Sequence, residues 1–116
     1  MKLSNLRPFV PSGDDFALAK RFFVDIGFVE QWGDEDLCEL KMGDVTFLLQ
    51  NFANSEMQRN YMVLVDVDDL DAFHAHLTAR ELSEKYGVKF SAPEERPWGR
   101  RELHLIDPAG VCWHFA

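Results

Sequence analysis

"RPWGRRELHLIDPAGVCWHFA", residues 96–116, is the stretch on which the reading of the chain turns. Two apolar runs, Glu102–Ile106 and Val111–Phe115, flank Asp107-Pro108-Ala109-Gly110. Proline presets one backbone angle and glycine accepts a left-handed one, so the stretch predicts a β-hairpin. With a four-residue turn, Ile106 pairs with Val111, Leu105 with Cys112, His104 with Trp113 and Leu103 with His114. Side chains alternate along a strand. That register puts Leu103, Leu105, Cys112 and His114 on one face, and His104, Ile106, Val111, Trp113 and Phe115 on the other. The two histidines then point apart and share no ion unless the register slips by one residue. His114 reads as a polar member of a cleft wall, and His104 as packed against a helix or partly exposed.

Working outward, the chain echoes itself. "RPFVPSGDDFALAKRFFVDIGF" and "NYMVLVDVDDLDAFHAHLTARELSEKYGV" both read strand, paired Asp, helix, Gly. Repetition at half the chain length points to a duplicated supersecondary unit. In the first copy Leu6–Val10 predicts a strand, and Pro8 and Pro11 assign it to an edge or a crossover, because each removes an amide donor. Ser12 and Asp14 are helix N-cap candidates. Phe16, Ala19, Phe23 and Ile26 form one helical face, closed by Gly27. Strands over 28–31, 37–41 and 45–50 follow. Residues 51–59 read as a polar connection. The second copy predicts a strand over 61–67 and a helix from about Asp68 burying Leu70, Phe73, Leu77 and Leu82. A short strand over 88–90, an irregular loop "SAPEERPWG" and the hairpin complete it. The order is βαβββ twice. One helix per run of strands indicates an α+β fold, two modules with curved mixed sheets around a cleft, rather than a doubly wound sheet. The modules cover about 1–52 and 60–116 of a single domain.

The bulk numbers agree. Ten Phe and three Trp within 47% hydrophobic residues suffice for a packed core. The formal net charge of −8 argues against nucleic acid and anionic membranes as partners and favours a cationic small ligand. It also serves solubility. No run of about 18 apolar residues spans a bilayer, and "MKLSNLRPFV" lacks a signal-peptide core. Cys38 and Cys112 match no zinc or redox spacing and read as reduced thiols of a cytoplasmic protein.

"PWGRRELHLIDPAGVCWHF" resembles the C-terminal signature of the bleomycin resistance proteins. These belong to the glyoxalase / bleomycin resistance / extradiol dioxygenase superfamily, also called the vicinal oxygen chelate superfamily. "PFVPSGD" is similar to that group's first strand, "GDVTFLL" to its fourth, and "VDVDDLDAF" to the start of its second helix. The resemblance implies paired βαβββ modules, a homodimer and exchange of the N-terminal strand at a proline such as Pro8 or Pro11. It also leaves open a choice between metal enzymes and metal-free drug binders.

Carried over by position, the enzymes' ligand sites fall at Arg7, Met62 and His114. Arginine has no lone pair to offer. A thioether suits soft ions rather than the divalent ions of this superfamily. The expectation is therefore no metal, no cofactor and no catalytic residue. The alternative is a lyase, isomerase or dioxygenase of the superfamily with degenerate ligands. His74 and His76, two apart on a helix, share no face and read as solvated. The acids of "GDEDLCE" (Asp34, Glu35, Asp36, Glu39) read as a solvated turn rather than an acid–base pair.

The resemblance assigns drug stacking to the Trp of Pro-Trp-Gly, which is Trp98, and to a Phe that aligns with Leu37. Trp32 is a candidate substitute for that missing ring. Arg7, Met62, Leu64 and His114 would line the cavity by strand parity, with Phe9 beside them. Phe47 and Leu49 are further candidates on a strand whose inward face the pattern leaves open. Glu102 would attract a positive ligand group. The function expected is sequestration of a planar, cationic molecule of the bleomycin kind, conferring antibiotic resistance, in a dimer-interface cleft.

Overall fold

The computed structural model describes residues 1–116. In chain order the elements are β1 (Phe9–Pro11), α1 (Phe16–Ile26), β2 (Val29–Gly33), β3 (Leu37–Met42) and β4 (Val45–Gln50). Then come α2 (Ser55–Asn60), β5 (Met62–Val65), α3 (Leu70–Ala79), α4 (Leu82–Tyr86), β6 (Lys89–Phe90), β7 (Glu94–Glu95), β8 (Arg101–Ile106) and β9 (Cys112–Phe115). One sheet runs β1-β4-β3-β2 and the other β5-β9-β8-β6, with β7 paired to β8. In each, the strand before the main helix lies parallel to the last strand, and the other pairings are antiparallel. The fold is α+β with two open mixed sheets. No helix is long and apolar enough to cross a membrane.

The echo between the halves has a physical counterpart. Asp15 caps α1 by accepting from the Leu18 amide at 3.0 Å, and Asp69 caps α3 by accepting from the Ala72 amide at 3.0 Å. The same aspartate satisfies one orphan amide at the start of each helix. The cap is thus Asp15, not Ser12 or Asp14. Ser12 is buried and its hydroxyl donates to the Gly13 carbonyl. At the other end of α1, Gly27 takes φ +135°, and its amide donates to Phe23 and Val24 carbonyls.

Phe23 of α1 touches Phe47 of β4 and Trp113 of β9, with centroids 5.0 and 5.3 Å apart. Phe47 and Trp113 meet each other at 5.1 Å. A single core therefore joins the helix to both sheets. Burying each such side chain contributes about 1.5–3 kcal/mol. Phe47 and Leu49 belong wholly to this core, together with Val10, Cys38 and Leu40 on the same sheet face. They line neither the cavity beside Trp98 nor the larger one around Phe28 and Phe73. The pattern alone could not orient β4, since Phe47, Leu48 and Leu49 are all apolar and only α1 decides which face is covered.

β1 is shorter than the strand expected over 6–10 and is shifted to include Pro11. It is an edge strand, as its prolines require. Pro8 contributes only its carbonyl, which accepts from the Leu48 amide at 2.9 Å. Three elements were not expected. The single helix expected from Asp68 to Leu82 is split into α3 and α4 at Glu81, which takes a left-handed φ of +55°. α2 is capped by Asn54 but buries no side chain, so it has no apolar period to read. β7 consists of two glutamates, held by pairing Glu94 with Glu102 and Glu95 with Arg101.

Candidate binding and ligand-donor site

The site is built on the hairpin of β8 and β9. Its loop is one residue longer than the sequence suggests. The Asp107 amide donates to the Val111 carbonyl at 3.0 Å, closing a five-residue loop over 107–111. The Asp107 carboxylate holds that loop. It accepts from the Ala109 amide at 2.9 Å, the Val111 amide at 3.0 Å and the Trp113 indole N–H at 3.0 Å. Burial pushes its pKa up to about 6, against the three hydrogen bonds that favour the charged form. Val111 is thereby kept in the loop, and the register moves by one. Ile106 pairs with Cys112, Leu105 with Trp113, His104 with His114, and Leu103 with Phe115.

That shift corrects the faces. Leu103, Leu105, Trp113 and Phe115 turn into the core. Glu102, His104, Cys112 and His114 share the opposite face. The histidines do not point apart, for their ring centroids lie 4.0 Å from each other.

Glu102 is the hub of this face and is only 2% exposed. One oxygen faces both His104 Nε2 at 2.9 Å and His114 Nδ1 at 3.1 Å. The other accepts from the Trp98 indole N–H at 3.1 Å and lies 3.4 Å from the Arg100 guanidinium. Burial alone raises a carboxyl's pKa. Here the hydrogen bonds from His104, His114 and Trp98 outweigh it and hold Glu102 down at about 2. The carboxylate is therefore ionised at neutral pH, and its position is fixed by several donors.

Trp98 sits at the tip of the loop between β7 and β8. Its ring lies nearly parallel to that of His104, at 7° and 6.3 Å, and is 57% exposed. Beside it is a cavity of about 330 Å³, lined by Met62, Val63, Leu64, Trp98, Arg100, Glu102 and His114. Met62 and Leu64 are exposed here because they leave β5 on the face away from the core. A larger cavity of about 440 Å³ lies elsewhere, around Phe28, Met42, Val65, Phe73 and three aspartates. The smaller cavity is the candidate site, because convergent hydrogen-bonded polar groups meet an apolar wall there.

Of the residues singled out from the sequence, Met62, Leu64, Trp98, Glu102 and His114 meet at this cavity. Arg7, Phe9, Trp32 and Leu37 do not; they belong to the other sheet and its edge. Phe9, Leu48, Glu39 and Trp32 form a cross-strand row on its face away from the core. Arg7 donates to Glu39 at 2.7 Å. Val63, Arg100 and His104 were missed. Arg100 follows Pro-Trp-Gly directly, which is a usable signal. His104 was lost to the one-residue register error.

The positions at which the resemblance would seat a catalytic ion do not fit one. Arg7 is a cation occupied by Glu39, and Met62 offers a thioether. A different set does converge. His104, Cys112 and His114 place one potential ligand atom each within 4.8 Å of one another. His76 corrects the solvated reading, since its Nε2 bonds the Ile26 carbonyl at the end of α1. His74 rests edge-on against Phe90. In the acidic turn, Asp34 accepts from the Asp36 and Leu37 amides. Glu39 is a buried ion-pair partner rather than a solvated acid.

No family model matches the sequence, and no curated protein matches it. Solved structures do. A bleomycin-binding protein from bleomycin-producing Streptomyces verticillus, complexed with copper(II)-bleomycin, is 27% identical with a TM-score of 0.84, covering 100% of this chain and 97% of its own. A bleomycin-binding protein complexed with bleomycin is 25% identical with a TM-score of 0.80, covering 97% of each chain. A bleomycin resistance determinant encoded on the transposon Tn5 shares the fold at 21% identity and a TM-score of 0.75, over 97% of this chain and 96% of its own.

Proposed function

We propose, for a chain whose fold and structural neighbours match the vicinal oxygen chelate superfamily with its bleomycin-resistance branch, a binding role without a superfamily-type catalytic ion. It sequesters a planar, cationic small molecule. The observation that carries this reading is the anchoring of Trp98. Its indole N–H is tied to a buried, ionised Glu102 while its ring stays exposed beside Met62 and Leu64. A fixed ring offers stacking area at small entropic cost and favours cationic or electron-poor partners. The net charge of −8 adds long-range attraction for such a ligand.

A cleft between two copies of the chain completes the site. Phe9 and Trp32 are exposed on one sheet, and Met62, Leu64 and Trp98 on or beside the other. A two-fold dimer that lays the first sheet of one copy over the second sheet of its partner buries both apolar surfaces at once. It also unites the two groups of candidate residues, with Leu37 and Trp32 facing Trp98 across the cleft.

The test is titration of metal-stripped protein with copper-free and copper-loaded bleomycin, read by tryptophan fluorescence and by mass in solution. Saturable quenching by either form, with a dimer, supports the reading. Unchanged fluorescence at tens of micromolar drug rejects bleomycin as the ligand. A monomer that still binds rejects the shared cleft.

A further inference from the structure

The open face of β8 and β9 carries a second chemistry that stacking does not use. We propose that His104, Cys112 and His114 bind one borderline transition-metal ion of the Zn²⁺ type, with Glu102 as the carboxylate that positions both imidazoles.

Three observations support the site. The three side chains come from paired strands and bring one potential ligand atom each within 4.8 Å of one another, so that small side-chain rotations bring them to the roughly 3.3–3.7 Å between ligands of a four-coordinate ion. Glu102, as a carboxylate, can only accept. His104 Nε2 and His114 Nδ1, both against its one oxygen, are therefore the protonated nitrogens. That leaves His104 Nδ1 and His114 Nε2 as the lone-pair atoms. A carboxylate holding the far nitrogen of a ligand histidine is the usual support around a metal. Finally, His114 Nε2 is buried and has no hydrogen-bond partner. A bound ion would supply one.

The donor set chooses the ion. Two imidazoles and a thiol disfavour Ca²⁺ and Mg²⁺, which take oxygen ligands, and suit Zn²⁺. Binding converts the Cys112 thiol to a thiolate and releases one proton to solvent. The thiolate and Glu102 together balance the double charge of the ion. Arg96, bonded to Ser91 and to the Glu102 carbonyl, and Arg100, 3.4 Å from the Glu102 carboxylate, are nearby cations that repel an ion, while Arg96 also favours the Cys112 thiolate. Three protein ligands leave a fourth position for water or for a donor atom of a bound molecule. His114 is the only one of the three that also lines the Trp98 cavity. The site shares His114 alone with the positions expected from the resemblance, so Arg7 and Met62 do not bear on it.

Co²⁺ is the probe, titrated without any drug into untagged, chelator-treated protein. The expected result is one equivalent bound, with visible d–d bands of a four-coordinate ion and a near-ultraviolet thiolate charge-transfer band, both displaced by Zn²⁺. Cys112→Ser removes the charge-transfer band. Glu102→Gln keeps that band but weakens binding by about ten- to a hundredfold. His74→Ala changes neither. Circular dichroism checks that each variant is folded. No charge-transfer band with excess Co²⁺, or a band that survives Cys112→Ser, overturns the assignment. Either result leaves the drug-binding titration unaffected, so the two proposals fail separately.

Discussion

His104 and His114 face each other across β8 and β9, ring centroids 4.0 Å apart, and both rest against the same oxygen of Glu102. Neither strand alone could produce this contact. It needs the register that Asp107 imposes and the glutamate two residues before His104.

Trp98→Ala removes the exposed ring and should weaken any ligand that quenches its fluorescence by at least about 1 kcal/mol, roughly fivefold or more in Kd. Trp98→Phe keeps a ring but loses the bond to Glu102. It should fall between the two. Calorimetric titration checks the order, and equal affinity for all three proteins removes Trp98 from the site.

Glu102→Ala leaves two imidazole N–H groups and the indole N–H without their shared acceptor. A buried donor without a partner costs about 1–3 kcal/mol. Because these three side chains reach solvent in part, a total loss of about 2 kcal/mol is expected. Urea unfolding at neutral pH measures it. A variant as stable as the parent contradicts the role of Glu102 as the organising acceptor.

Asp107 predicts a pH effect of definite sign. Its folded pKa, about 6, lies above the unfolded value near 3.8, so the folded state binds more protons between these values. The stability it contributes is full below about pH 4 and declines as the pH rises through 6. The decline is on the order of 3 kcal/mol for a shift of this size. Asp107→Asn, which cannot accept from Trp113 with its amide nitrogen, should be less stable throughout. Its stability should also lack that slope. The gap between parent and variant, read from chemical unfolding at several pH values, should narrow from pH 4 to 7.

Asp25 ties the end of α1 to the second module. It pairs with Arg80 at 2.8 Å and Lys85 at 3.4 Å, and accepts from the Tyr86 hydroxyl at 3.1 Å. Both basic partners are exposed, so the pairs are screened. Asp25→Ala should cost about 1 kcal/mol, and the part due to the ion pairs should shrink in 1 M salt. A double-mutant cycle with Arg80→Ala isolates the pair. Zero coupling at low salt sinks this account.

Much of the architecture was legible in the sequence. Phe16, Ala19, Phe23 and Ile26 mark one face of α1, and the paired aspartates before each helix are its caps or their neighbours. Those are local facts, set by a repeat along the chain and by the amides at a helix start. β7, with two glutamates, and α2, with no buried residue, carry no such period and could not be read.

The candidate site was half legible. Trp98 and His114 could be named from the resemblance, Met62 and Leu64 from strand parity, and Glu102 from its charge. Residue types and spacing determined which elements form and which residues can bear chemistry. Tertiary structure alone decided which way β4 faces and which residues of the hairpin meet. α1 covers Phe47 and Leu49 because its own apolar stripe needs that face. The Asp107 carboxylate, anchored by the distant Trp113 indole, keeps Val111 in the loop and turns His104 toward His114. A single hydrogen-bonded side chain shifts strand pairing by one residue, and in a structure of period two that exchanges the faces.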